Sequence, residues 1–338
     1  MTLKRLITLA TAALALGLCG GCGYAFRAED TFRVDADAAG IRTVCVETRN
    51  GGIELRGDAT GGKVNVQGEK HARGVSHEDA EAACDQIEIH AQRDPSRPDR
   101  LHIYVDVPPE LRDRSPGARM VVSAPRDAAF ELNTTNGGIR AEDVAGPLHA
   151  DTSNGSIRVA RIRDAAEVRT TNGGITATQL DGDLTARTSN GNIRLDSVGR
   201  GRVNVRTTNG AVTGENLRGE VIVESSNGSI GLRIAQTTPA PEIRAMTSNG
   251  SVRVELPADV NARLSMRTSN GGVYSDLGAT RVSDFRTSRN RLDATLNAGG
   301  GSIELVSSNG SVTIEARAVS TPSNVPSVSP TVAPVQSR

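Results

Sequence analysis

Along the second half of the chain, apolar positions recur in fixed columns rather than in a helical stripe. Counted from the Asn of each Asn-Gly pair, small or apolar residues stand three, five, eight, twelve and fourteen places on. After Asn154 these are Ile157, Val159, Ile162, Ala166 and Val168; after Asn172 they are Ile175, Ala177, Leu180, Leu184 and Ala186. Two runs of period two separated by a corner predict two short strands per repeat, each with one face inward. The pairs begin at Asn136, Asn154, Asn172, Asn190, Asn209, Asn227, Asn249, Asn270 and Asn309, mostly eighteen or nineteen residues apart. Self-similarity at that period predicts a parallel β-coil stacked on copies of itself, each turn following a path of roughly 60 Å. After Asn270 the interval doubles, and Arg289-Asn290-Arg291 is expected to supply a degenerate turn there.

Asn-Gly on its own signals an antiparallel hairpin. The Thr/Ser pair before it, as in Thr170-Thr171 and Thr188-Ser189, and the columns after it turn that reading into the corner of a parallel coil. Equivalent residues stacked at about 4.8 Å set each Asn amide over the next, a ladder expected to satisfy polar atoms in the interior. The glycine is expected to supply a positive φ at the corner.

From Ala25 to about Arg126 the pattern is irregular. Ile41 to Val46 and Gly52 to Arg56 alternate as strands around Arg49-Asn50-Gly51-Gly52. Ser76 caps a short helix with Ala80, Ala83, Cys84 and Ile87 on its apolar side. A hairpin follows, with Leu101, Ile103 and Val105 answering Ile87 and Ile89. The fold class is therefore all-β, a β-solenoid with a small β-rich N-terminal cap carrying one helix. Its divisions are a leader at 1–21, the cap region at 22–126, the solenoid at 127–317 and a Ser/Pro-rich, disordered tail at 318–338. The cap is expected to cover one open end and block strand-to-strand aggregation.

The first residues combine Lys4-Arg5 with an apolar run to Leu18 that is shorter than a membrane span, which marks an export signal. Gly20-Gly21-Cys22 resembles a bacterial lipoprotein processing site, which makes Cys22 the residue expected to carry the lipid. Several acyl chains would hold the chain stably on a membrane, placing it at the cell envelope, on the outer membrane or periplasmic face in a Gram-negative cell. Cys45 and Cys84 remain as an even pair in an oxidising compartment, either disulfide-bonded or as two buried thiols.

The Thr-Ser-Asn-Gly-x-Ile-x-Val coils and the segment Thr48-Arg49-Asn50-Gly51-Gly52-Ile53-Glu54-Leu55, followed by a helix and hairpin, resemble the bacterial putative-adhesin family of β-strand-repeat proteins over roughly residues 40–316. That resemblance implies a single-stranded, right-handed β-helix. The family is a domain of unknown function and implies no catalytic residues.

Composition narrows the function classes further. Tryptophan is absent and aromatics make up 2% of the chain, so burial must come from many small residues and there are few platforms for stacking sugars. Formal charge is zero, which removes the basic excess that nucleic-acid binding needs. A polysaccharide lyase or hydrolase needs converging carboxylates, or a metal and a base. Asp164, Asp181, Asp183 and Asp196 are instead placed at or near corners, where turn chemistry explains them. His90 and His102 are expected to face each other across the hairpin, too few ligands for a metal site, and no cofactor motif is present. Asn154, Asn227, Asn249 and Asn309 match glycosylation acceptors in form but read first as turn residues. The sharpest binding feature is outward arginine: Arg140, Arg158, Arg194 and Arg253 in one column, and Arg169, Arg187, Arg206 and Arg267 in another. Stacked guanidinium groups suit an anionic polymer. The reading is a non-catalytic, adhesin-like envelope lipoprotein with structural or binding duty, its partners the membrane and an envelope polysaccharide or surface protein. The alternatives are a polysaccharide-active β-helix enzyme and an anionic-glycan binder using the arginines.

Overall fold

A computed structural model describes residues 24–59, 62–199, 201–236, 241–278 and 280–317. The leader with Cys22, and the tail from 318, lie outside these residues. No helix among them is long and apolar enough to cross a membrane.

The repeat folds as its columns require. The strand ending in each Asn lies in one long sheet and the strand after each Asn-Gly lies in a second, and both sheets run parallel through the repeats. Register is fixed residue to residue: Leu148–Asn154 lies on Ala166–Asn172, which lies on Leu184–Asn190, with Asn over Asn at every step. Between the sheets, Ile157, Val159, Ile162, Ala166 and Val168 are all at most 2% exposed. Equivalent residues stack along the whole core, each full burial of a Val, Leu or Ile contributing about 1.5–3 kcal/mol. One coil has no such partner by itself, so stability resides in the stack.

The stack begins before residue 127. Strands Thr43–Asn50 and Ile53–Arg56 form a coil in register with Ala129–Asn136 and Ile139–Glu142. The cap is thus a long excursion from the first coil. Phe26–Asp37 pairs antiparallel with Lys63–Gly74, which pairs antiparallel with Gly117–Ser123 beside the first coil. The sheet edges at that end are therefore antiparallel strands, Phe26–Asp37 in one sheet and Glu88–Arg93 in the other, both rich in charged residues that discourage edge pairing. The helix His77–Asp85 starts at Ser76, whose Oγ accepts from the Asp79 backbone N–H at 3.1 Å, and Asp79 accepts from the Val75 N–H at 2.9 Å. Its buried Ala83 and Cys84 join Ala72, Ile87 and Leu111 in a small second core.

At the far end the chain order and the spatial order part company. Ala262–Thr268 does not stack on Glu242–Asn249; Gly301–Asn309, from later in the chain, lies between them. The doubled interval is an antiparallel hairpin, Val282–Ser288 with Arg291–Leu296, folded onto the Ala262 strand. Arg289-Asn290-Arg291 is therefore a hairpin turn and not a worn Asn-Gly corner. The Asn309 coil returns to fill the gap between the Asn249 and Asn270 coils, so the last coil is clamped on both sides.

Candidate functional site

Both corners of the coil carry long columns of identical geometry. At the Asn-Gly corner, each Asn Nδ2 donates to the Oδ1 of the Asn one coil nearer the cap, from Asn136 to Asn50 at 2.7 Å through Asn270 to Asn309 at 2.8 Å. Asn50 closes the series by donating to the Pro116 carbonyl at 2.8 Å. This ladder lies on the exposed side of the corner and not in the interior. The buried polar column is the Thr or Ser two residues earlier: Thr152, Thr170, Thr188 and Thr207 are 1–6% exposed. Each of these donates its hydroxyl to the carbonyl of a Gly one coil back, at 2.9–3.1 Å. The amides were expected to satisfy the interior, but the buried polar atoms at this corner are hydroxyls. The same side-chain amides at Asn154, Asn227, Asn249 and Asn309 are engaged in the ladder, consistent with turn residues.

Gly51 and Gly250 have the expected positive φ, at 143° and 159°, but the other corner glycines serve a different purpose. Gly137, Gly155, Gly173, Gly191, Gly210 and Gly228 do not have left-handed φ values; a Cβ on any of them would lie 1.9–2.0 Å from the Gly carbonyl oxygen of the adjoining coil. They permit the close approach of stacked corners. Left-handed backbone occurs at the opposite corner, in residues other than glycine: Asp143, Arg161, Gln179, Ser197 and Asn216, with φ from 53° to 61°. This conformation costs such residues about 1–2 kcal/mol each, and it turns the next column, Ile162, Leu180 and Val198, into the core.

Along this second corner runs an open groove of about 370 Å³. Five coils at about 4.8 Å give it a length of roughly 19 Å. Arg126, Arg163 and Arg218 line it and have no ion-pair partner among the described residues, whereas Arg161 is held bidentately by Asp143 at 2.7 and 2.9 Å and by Glu142 at 2.9 Å. Arg161 depresses the Asp143 carboxyl, and depresses that of Glu142 together with Arg140 against the opposing effect of burial. Both therefore stay ionised, and the rest of the lining sets Arg126, Arg163 and Arg218 against the one further carboxylate, Asp181.

The two predicted arginine columns exist in register, but acids neutralise much of them. Arg169, Arg187 and Arg206 stack directly, flanked by Asp151 and Glu224. Arg169 bonds Glu167 and Arg206 bonds Glu224, leaving Arg187 without an ion pair among the described residues. In the other column Arg140 and Arg253 are tied to Glu142 and Glu315, while Arg158 and Arg194 line a smaller depression. The groove arginines were missed because their corner repeats no residue type: Asp, Arg, Gln, Ser and Asn share a backbone conformation and nothing else legible.

Of the acidic residues weighed for catalysis, Asp181 lines the groove and the other three are occupied locally. Asp164 accepts from the Ala165 N–H and Asp183 from the Arg202 N–H, both at 2.7 Å; Asp196 accepts from the Ser197 hydroxyl and the Asn216 amide. His90 and His102 do not face each other: Tyr104 is opposite His90, and Gln92 is opposite His102. Nor are the cysteines joined. Cys45 lies in the first coil and Cys84 on the cap helix, both buried free thiols. The Cys84 Sγ donates to the Lys70 carbonyl at 3.4 Å. Burial pushes each thiol up to about 11. Both are consequently expected to resist a thiol-specific reagent at pH 8 in the native chain and to react promptly in denaturant; fast labelling without denaturant would contradict the packing described.

No protein of curated function matches the chain. Two solved structures resemble it distantly. A putative cell adhesion protein from Clostridium sporogenes ATCC 15579 is 11% identical, with 86% of this chain and 100% of that one covered and a TM-score of 0.23. A putative adhesin from Bacteroides fragilis NCTC 9343 is 12% identical, with 85% and 97% covered and a TM-score of 0.34. The stacked coils from residue 166 to residue 315 match the family model described as Toastrack DUF4097.

Proposed function

We propose that this chain is a non-catalytic, adhesin-like binding rod of the cell envelope, anchored through a lipid on Cys22 and recognising an acidic polymer along the second corner. The observation that carries this reading is the groove spanning five coils, with Arg126, Arg163 and Arg218 unpaired among the described residues on its walls. A polymer of repeated negative charge can run along a corner of repeated geometry, and guanidinium groups bind carboxylates or sulfates through paired N–H donors. Coils locked in register by nine Asn-to-Asn bonds supply the stiffness a displayed rod needs.

Binding of the mature chain to an immobilised uronic-acid polysaccharide tests this. Affinity is expected to fall with added salt. It should weaken about tenfold in the triple variant Arg126→Gln, Arg163→Gln, Arg218→Gln, at roughly 0.5 kcal/mol per exposed charge contact. Equal binding by the variant would remove the groove from the function, and release of shortened sugar chains in the same assay would replace this reading with that of a polysaccharide-active enzyme. Fatty-acid labelling in cells tests the anchor: label retained by Cys22→Ser would overturn it.

A further inference from the structure

A second cluster of chemically capable side chains stands apart from the groove, where the cap meets the first coil. Cys45 and Glu47 alternate on the strand Thr43–Asn50 and so share its outer face. His102, on the neighbouring parallel strand Arg100–Asp106, is the direct cross-strand partner of Cys45. The Cys45 Sγ lies 3.7 Å from the Glu47 Oε1, and the Glu47 Oε2 lies 3.1 Å from the His102 Nε2. One donor atom from each residue falls within 4.8 Å of the other two.

Two features separate this cluster from an ordinary polar surface. Cys45 points outward yet is fully buried, covered by its neighbours on that face. The His102 Nε2 is shielded from solvent and has no hydrogen-bond partner, although a carboxylate oxygen stands 3.1 Å away. Tyr104 packs against the His102 ring at 4.8 Å between centroids and is itself held by Gln92, which donates to its hydroxyl at 2.7 Å. On the other side Arg100 reaches the Cys45 sulfur and is also tied to Glu131 at 2.6 Å, so the cation beside the thiol is already balanced by a carboxylate.

We propose that Cys45, Glu47 and His102 form a zinc site that staples the cap hairpin to the first coil. Sulfur, imidazole nitrogen and carboxylate oxygen are the three donor types zinc takes, at about 2.3, 2.0–2.1 and 2.0–2.2 Å. Those bond lengths set tetrahedral ligand-to-ligand edges of roughly 3.2–3.7 Å, so the donors, which stand within 4.8 Å of one another, close in by up to about 1 Å when the ion binds. The set does not suit calcium or magnesium, which require oxygen throughout. His102 and Glu47 keep 35% and 47% of their side-chain surface exposed, which gives the ion an entry path and leaves the fourth position to water. On binding, Cys45 changes from thiol to thiolate and releases one proton to solvent as the S–Zn bond forms.

Cobalt(II) titration of the mature full chain tests the site, with zinc as competitor. One equivalent of cobalt is expected to produce the near-ultraviolet thiolate-to-cobalt charge-transfer band and tetrahedral visible bands, all abolished by zinc. Cys45→Ser should remove the charge-transfer band, Cys84→Ser should leave it intact, and His102→Gln should weaken affinity by about tenfold or more. Since Cys45 is buried, Glu47→Gln on the exposed rim serves as the variant that cannot disturb packing, with the same loss of affinity expected. A native chain that shows no thiolate band in excess cobalt, a band that survives Cys45→Ser, or cobalt affinity unchanged in both Glu47→Gln and His102→Gln would each overturn the proposal.

Discussion

Gly173→Ala is expected to destabilise the chain by about 3–5 kcal/mol, at the upper end of what one substitution does. The added Cβ would lie 2.0 Å from the Gly155 carbonyl oxygen and 2.5 Å from its carbon. Overpacking against a movable side chain is relieved by a rotamer change, but here the obstacle is backbone, and that backbone is tied on both sides. The Gly155 N–H donates to the Asn172 carbonyl at 3.1 Å, and the Gly155 carbonyl accepts from the Thr170 hydroxyl at 2.9 Å. Separating the two corners would break those bonds and open the core columns beneath them. Gly231→Ala is the matched control: its strand position has nothing within 4 Å of a built Cβ and no left-handed φ. It should fall within about 0.5 kcal/mol of the parent, with a small gain from reduced freedom in the unfolded chain. Urea unfolding of the two variants makes the comparison; similar midpoints would mean that the corners do not set the coil spacing.

That contrast also locates the boundary between what the residues reveal alone and what only the folded chain reveals. Period and inward columns were legible because strand alternation forces Ile157 and Val159, or Ala166 and Val168, to one face, and stacking forces those letters to recur. The helix was legible through Ser76 and its apolar side. Position in the stack was not, because an Asn-Gly corner has the same form wherever its coil lies; Asn309 carries no mark placing it between Asn249 and Asn270. The reason for glycine was also hidden, since a positive φ and a close backbone approach select the same residue. The arginine columns were legible as columns, yet their neutralisation depended on acids outside them: Glu167 two residues from Arg169 and Glu224 one coil from Arg206. Cys45 was hardest to place, being buried on a face where alternation predicts exposure.

Thr170→Val is expected to cost about 1–3 kcal/mol, more than Asn172→Ala at about 1 kcal/mol, although the asparagine makes two ladder bonds and the threonine one. Asn172 donates to the Asn154 Oδ1 at 2.9 Å and accepts from the Asn190 Nδ2 at 2.8 Å, but all three side chains reach solvent. Water can take up both partners when the amide is removed, so only the net worth of each exchanged bond is lost. Thr170 is 6% exposed, and its Oγ1 donates to the half-buried Gly155 carbonyl between stacked coils. Valine keeps the shape and fills the same space, so water gains no entry and the carbonyl is left without that donor. Thr48 supplies the internal check. It stands at the cap-side end of the same column with its Oγ1 buried and unpartnered, because the strands behind it, Arg100–Asp106 and Gly117–Ser123, are joined by no Asn-Gly corner that would offer a Gly carbonyl. Thr48→Val therefore removes an uncompensated hydroxyl and should leave stability unchanged or raise it by up to about 1 kcal/mol. The expected order of unfolding midpoints is Thr170→Val below Asn172→Ala below the parent, with Thr48→Val at or above it. If the two threonine variants moved together, volume and not hydrogen bonding would govern the column, and the hydroxyls would be bystanders to packing.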